Sequence, residues 1–152
     1  LTEMEEKKKA AYFVVPGDPV GKGRPKFSTR GGFVRAITPE KTANFETLVR
    51  MEYESQCKGI FFDSSQALRL AVDVFRMPNK SAKKKSIPAM LSGDIRPGKK
   101  PDMDNIIKSI QDALNRVAFD DDNQIVEVAI RKFYDSNPPR SEVRIESIAQ
   151  NG

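Results

Sequence analysis

The stretch KKPDMDNIIKSIQDALNRVAFDDDNQI, Lys99 to Ile125, decides how this chain is read. Ile106, Ile110, Ala113, Leu114 and Val117 recur at helical spacing and predict a helix from about Met103 to Val117 with one apolar face. Asp102 stands at its start and Asp104 in its first turn. The helix dipole favours negative charge there by ~0.3–1 kcal/mol, so capping would explain those two carboxylates alone. Asp120, Asp121 and Asp122 are harder to explain, because they follow the helix C-terminus, where the dipole opposes them. A solvated turn accounts for one or two; a hard divalent cation would offset the mutual repulsion of all three. The strand pattern QIVEVAIRKFY, Gln124 to Tyr134, comes next and is apolar on both alternate faces, which predicts a strand covered on both sides.

Working outward, YFVVPG (Tyr12–Gly17) reads as a strand stopped by Pro16 and Gly17, and GDPVGKGRPKFSTRGG as a basic loop. FVRAI (Phe33–Ile37) is a second short strand. Thr38 and Pro39 start a helix whose apolar residues Phe45, Leu48, Val49 and Tyr53 carry it to about Gln56. LRLAVDVFRM (Leu68–Met77) alternates as a strand. NKSAKKKSIPAMLSGD is a basic connection with a helical turn or two, broken near Pro88, and EVRIESI (Glu142–Ile148) is a last antiparallel strand. The sum is an α+β fold: a small mixed or antiparallel sheet of four to five strands packed against two main helices. One domain over residues 11–150 is expected, after a charged, flexible tail over residues 1–10.

Composition narrows the chemistry. The 152 residues include no histidine, which excludes His-based general bases, Ser-His-Asp triads and His-ligated zinc. Any metal site must use oxygen ligands, which suit magnesium, manganese or calcium. The single cysteine, Cys57, cannot form an intrachain disulfide and fits a reducing cytoplasm. No apolar run approaches the ~20 residues of a membrane span, and the first ten residues carry no signal-peptide core. The net charge of +5 suits a polyanionic partner. It is concentrated in Lys22, Arg24, Lys26, Arg30 and Arg35, in Lys80, Lys83, Lys84 and Lys85, and in Arg96, Lys99 and Lys100. The lysines around Lys83 read equally well as a solvated face. Neither a Walker-type phosphate loop nor an EF-hand can be placed.

Two geometric points bear on the acidic stretch. A ~15-residue helix is ~22 Å long, so its two acidic ends meet only if the chain after Val117 folds back along it, or across a sheet edge or subunit boundary. Lys108 lies four residues after Asp104 and four before Asp112, so the three share one side of the helix. That arrangement is either a surface ion-pair ladder or an ammonium placed beside a carboxylate cluster.

KPDMDNIIKSIQDAL…FDDDNQI resembles the signature of the RusA family of Holliday junction resolvases of bacteria and prophages. The matching residues are Pro101, Asp102, Asp104, Asn105 and Lys108, then Asp112, Ala113 and Leu114, then Asp121, Asp122 and Gln124. GKGRPKF near the start is also similar to family members. The chain departs from the pattern in the extra Asp120 and in Phe119, where the family often has Trp. The resemblance implies a magnesium- or manganese-dependent endonuclease with no small-molecule cofactor, acting as a homodimer on four-way DNA junctions through paired symmetric nicks. By the match, Asp102, Asp104 and Asp122 take the catalytic and metal-binding positions, Asp121 joins the metal cluster, and Lys108 is the catalytic lysine. Lys22, Arg24, Lys26, Arg30, Lys83, Lys84, Lys99 and Lys100 are the expected DNA contacts. Two other readings stay open beside this one: a non-catalytic basic DNA-binding module, and a metal-dependent nuclease for other branched DNA.

Overall fold

A computed structural model describes residues 9–23, 26–28, 35–37 and 40–150, with 26–28 and 35–37 defined through their backbone. In chain order the elements are β1 (Ala10–Pro16), β2 (Lys26–Ser28), β3 (Arg35–Ile37), α1 (Glu40–Gln56), β4 (Ala67–Arg76), α2 (Ile87–Ser92), α3 (Met103–Leu114), β5 (Ile125–Tyr134) and β6 (Arg140–Ile148). Four strands form a mixed sheet in the order β1-β6-β4-β5. β6 is antiparallel to β1 and β4, and β5 is parallel to β4. That parallel pair requires a crossover, and α2 and α3 lie in it. β2 and β3 form a separate antiparallel pair, so Lys26–Ser28 is a strand where the sequence predicts loop.

The expected α+β architecture is present, and alternation explains it. Leu68, Leu70, Val72 and Val74 of β4 are buried on one face of the sheet, with Ala11, Phe13 and Val15 of β1 and Val143 and Ile145 of β6. They meet Phe45, Val49 and Tyr53 of α1 and Ile106, Ile110, Ala113 and Leu114 of α3 in one cluster. Each fully buried large apolar side chain contributes ~1.5–3 kcal/mol. Phe13 meets the Tyr53 ring edge-on at 5.3 Å, and the Tyr53 hydroxyl donates to Ile60 O at 2.6 Å. Burial, and then neighbouring Cys57, push the Tyr53 phenol far above its usual range. The opposite sheet face carries ion pairs such as Asp73–Arg131 at 2.8 Å. Such exposed pairs are worth ~0–1 kcal/mol each.

Three local expectations are corrected. Pro88 opens α2 rather than breaking it, because the first helical turn needs no N–H from the proline. α3 ends at Leu114, three residues early: Arg116 takes a left-handed φ of 65° and donates its N–H to Phe119 O at 2.7 Å. Ala118 and Phe119 then turn back under the core, fully buried. β5 is an edge strand, and Val126 and Val128 are 60% and 48% exposed, although the pattern predicts cover. Of its apolar residues, Ile125 and Ile130 pack on the core. Residues 1–8 of the expected tail, and the Thr38–Pro39 helix start, lie outside the described residues. Among the described residues no helix is long and apolar enough to cross a membrane.

Candidate functional site

Asp102 occupies the N-cap position of α3 in extended conformation (φ −68°, ψ 150°), yet its side chain makes no capping hydrogen bond. The simplest structural use of this carboxylate is therefore not made. Its loop is held from the C-terminal ends of β4 and β5. Arg76 Nη1 donates to Lys100 O at 3.0 Å, and Lys132 Nζ donates to Lys99 O at 2.9 Å and Pro101 O at 2.6 Å. Arg96 Nε donates to Lys132 O at 2.6 Å, and its guanidinium lies 4.0 Å from the centre of the Phe133 ring. Three cations thus hold the loop that presents Asp102 and, two residues on, the exposed Asp104. Arg96 reads from sequence as a member of a basic cluster; here its guanidinium stacks on an aromatic ring.

The second acidic group sits elsewhere. Asp120 and Asp121 are exposed and Asp122 is half-buried, in the turn that enters β5. Buried Gln124 fixes that turn. Its Nε2 donates to Phe62 O at 3.3 Å, Asp63 O at 2.6 Å and Gln66 O at 3.1 Å, while its Oε1 accepts from Asp121 N at 2.9 Å. The amide offers two donor hydrogens and an acceptor oxygen at one side-chain tip, so it serves the carbonyls and the N–H together. The sequence carries Gln124 as a motif position, and nothing in its neighbours indicates this anchoring role.

These contacts put the two acidic groups at opposite ends of the sheet. Gln124 is tied to the residues that lead into β4, whereas Pro101 is tied to Lys132 near the end of β5. From Ile125 to Lys132 the strand advances ~23 Å at ~3.3 Å per residue. The chain after Val117 does not fold back along α3. Among the described residues no group of three or more acidic, His or Cys side chains stands where it could hold a metal ion. Nor do Asp102, Asp104, Asp120, Asp121 or Asp122 enter any ion pair among those residues. The donor set, all carboxylate oxygen, fits a hard divalent cation, but one copy offers it as two separated halves.

Lys108 is exposed, and its Nζ lies 3.4 Å from Asp112 Oδ1. The other Asp112 oxygen is 3.0 Å from Lys22 Nζ, which also lies 3.2 Å from Glu46 Oε1. Lys22, an expected DNA contact, is thus placed between α1 and α3. Burial lowers the affinity of its amine for the proton, but the bonds to Asp112 and Glu46 outweigh that and hold it above the usual lysine range. Its backbone is fixed as well: Lys22 N donates to Asn105 O at 3.0 Å and Gly23 N to Thr42 Oγ1 at 3.1 Å. A Cβ on Gly21 would come within 2.9 Å of Pro101 Cβ and 3.0 Å of Asn105 Cβ. Glycine is needed here because the strap lies directly on the start of α3.

Of the other expected DNA contacts, Lys83, Lys84, Lys99 and Lys100 are exposed and enter no ion pair among the described residues. Arg24 and Arg30 lie outside the described residues, and Lys26 is defined only as part of the β2 backbone.

Comparison with known proteins identifies the family. The chain is 36% identical over 140 residues to the uncharacterized protein YqaN of Bacillus subtilis (strain 168), covering 90% of this chain and 96% of that protein. Residues 16–146, from the end of β1 to within β6, match the family described as Endodeoxyribonuclease RusA. With its acidic positions displayed at the two ends of α3 on this mixed sheet, the chain belongs to the RusA endodeoxyribonuclease family.

Proposed function

We propose that this chain is a divalent-metal-dependent endonuclease that resolves four-way DNA junctions as a homodimer, cutting by paired symmetric nicks. The observation that carries the reading is the state of the signature carboxylates: exposed or half-buried, free of ion pairs among the described residues, and divided between opposite ends of α3. A two-fold axis across the middle of the helix and near the start of β5 reverses a second copy, so that one end of the first meets the other end of the second. The open edge of β5 suits such a partner. If two β5 strands face each other antiparallel about Glu127, Asp122 falls opposite Lys132, the residue whose ammonium holds Pro101 beside Asp102. Val126 and Val128, exposed on that edge, would then be covered.

In this arrangement Asp102 and Asp104 of one copy, with Asp121 and Asp122 of the partner subunit, would hold magnesium or manganese. The bound ion supplies Lewis-acid stabilisation of charge on the scissile phosphate. The carboxylates orient the water that attacks phosphorus in line with the departing oxygen. The Lys108 ammonium offsets the negative charge that grows on the phosphate oxygens. Lys99 and Lys100 beside the site, with Lys83 and Lys84, neutralise neighbouring phosphates without reading sequence. The resulting activity belongs in the cytoplasm, where the DNA is.

Nicking of a synthetic four-way junction tests the proposal. Cleavage should require added magnesium or manganese and stop with a chelator. Asp104→Asn should abolish cutting while junction binding persists. Wild-type cutting by Asp104→Asn would remove the site from consideration. Equal cutting of flap, fork and junction would favour a nuclease for other branched DNA. Tight junction binding with no nicks under any metal would favour a binding module.

A further inference from the structure

We propose that Lys22 is a positioning residue for Lys108, acting through Asp112, rather than a contact to DNA. The inference rests on the reading of Lys108 as a participant in phosphodiester cleavage. Charge alternates along a continuous chain: Glu46 to Lys22 at 3.2 Å, Lys22 to Asp112 at 3.0 Å, and Asp112 to Lys108 at 3.4 Å. Exposure rises along it, from 12% for the Glu46 side chain, through 24% for both Lys22 and Asp112, to 55% for Lys108. The inner members are therefore shielded and fixed, and the outermost ammonium is free to reach a ligand. Lys22 is held twice, by these two carboxylates and by its own N–H on Asn105 O of α3.

Two consequences follow for Lys108. By occupying one oxygen of Asp112, Lys22 turns the other toward Lys108 and sets where that ammonium rests. By neutralising much of the Asp112 charge, Lys22 also weakens the grip of Asp112 on Lys108, and the outer contact is indeed the longer of the two. Lys108 is thereby steered without being sequestered. Without Lys22, the carboxylate is free to rotate and to keep Lys108 for itself, away from the phosphate. A group held in networks of this kind acts through its neighbour's geometry, and small misplacements matter in such sites.

The test separates positioning from DNA contact. Lys22→Met should lower kcat on a four-way junction by roughly 10- to 100-fold, leaving KM unchanged. Metal-free junction binding should keep its salt dependence. In a Lys108→Met background the same change should have no further effect. A direct phosphate contact would instead raise KM, leave kcat alone, and reduce the slope of log affinity against log salt by about 0.9; that result overturns the proposal. Asp112→Asn, isosteric and on the helix surface, should reproduce the kcat loss. Should Lys22→Met fail to fold, Asp112→Asn decides alone, and its cutting at the wild-type kcat overturns the proposal. If Lys108→Met itself cuts normally, the reading of the site falls rather than this link within it.

Discussion

Replacing Gly21 by alanine perturbs the contact on which the strap, α3 and Lys22 depend. The new methyl would lie 2.9 Å from Pro101 Cβ and 3.0 Å from Asn105 Cβ. Ordinary carbon–carbon contacts are ~3.5–4.0 Å, so something must retreat by roughly 0.6–1 Å. Pro101 is held by Lys132, and Asn105 lies within α3, so the strap is the part that yields. The bond from Lys22 N to Asn105 O, now 3.0 Å, then opens beyond hydrogen-bonding range. Overpacking of this kind costs ~1–3 kcal/mol. For a chain of this size each kcal/mol lowers the melting temperature by ~2–4 °C, which gives an expected drop of about 2–12 °C. Gly98→Ala is the control, since a Cβ there meets nothing within 4 Å. Thermal melts followed by circular dichroism measure the difference. If Gly21→Ala melts together with Gly98→Ala, the close approach of the strap to α3 is wrong, and with it the fixed position of Lys22.

Gln124→Ala leaves three carbonyls and the Asp121 N–H without their partner; urea denaturation should show a loss of at least about 2 kcal/mol, and Gln124→Glu, which has no donor, should not restore it. Val128→Glu should shift the protein to monomer in sedimentation and abolish junction cutting, whereas Met51→Glu, on the exposed face of α1, should do neither. Stability should hold from neutral pH to about pH 9 and fall as the pH rises through about 11. The sign follows from Cys57, Tyr53 and Lys22, which all bind their protons more tightly than their usual values of 9.0, 10.0 and 10.5. Burial is the cause for Cys57 and Tyr53, and ion pairing overcomes burial for Lys22. A melting temperature that holds steady from pH 9 to about pH 11 would contradict this.

Periodicity made much of the fold legible. The alternation of Leu68, Leu70, Val72 and Val74 marks a strand buried on one face, and the spacing of Ile106, Ile110, Ala113 and Leu114 marks the face of α3 that meets it. Where the pattern misled, a single position overrode it. Val117 continues the helical spacing, but Arg116 has already left the helix. Val126 and Val128 look like buried strand residues, yet sequence does not say that β5 is the last strand of the sheet. The candidate site was legible in part for the same reason. Fixed spacing along a short stretch identifies Asp102, Asp104, Lys108, Asp121, Asp122 and Gln124 as one signature, but not the distance between them once folded.

By itself, the amino-acid sequence determined the residue types available and the faces on which they lie: oxygen ligands without histidine, carboxylates at both ends of one helix, and Lys108 on the same side as Asp112. Only tertiary structure decided which of these stand near one another. Local spacing fixes direction along a helix or strand. Distance across the molecule depends instead on where the chain turns next. That is why Lys22, from a glycine-rich strap almost a hundred residues earlier in the chain, ends between Glu46 and Asp112, and why the two acidic groups of one signature finish at opposite ends of a sheet.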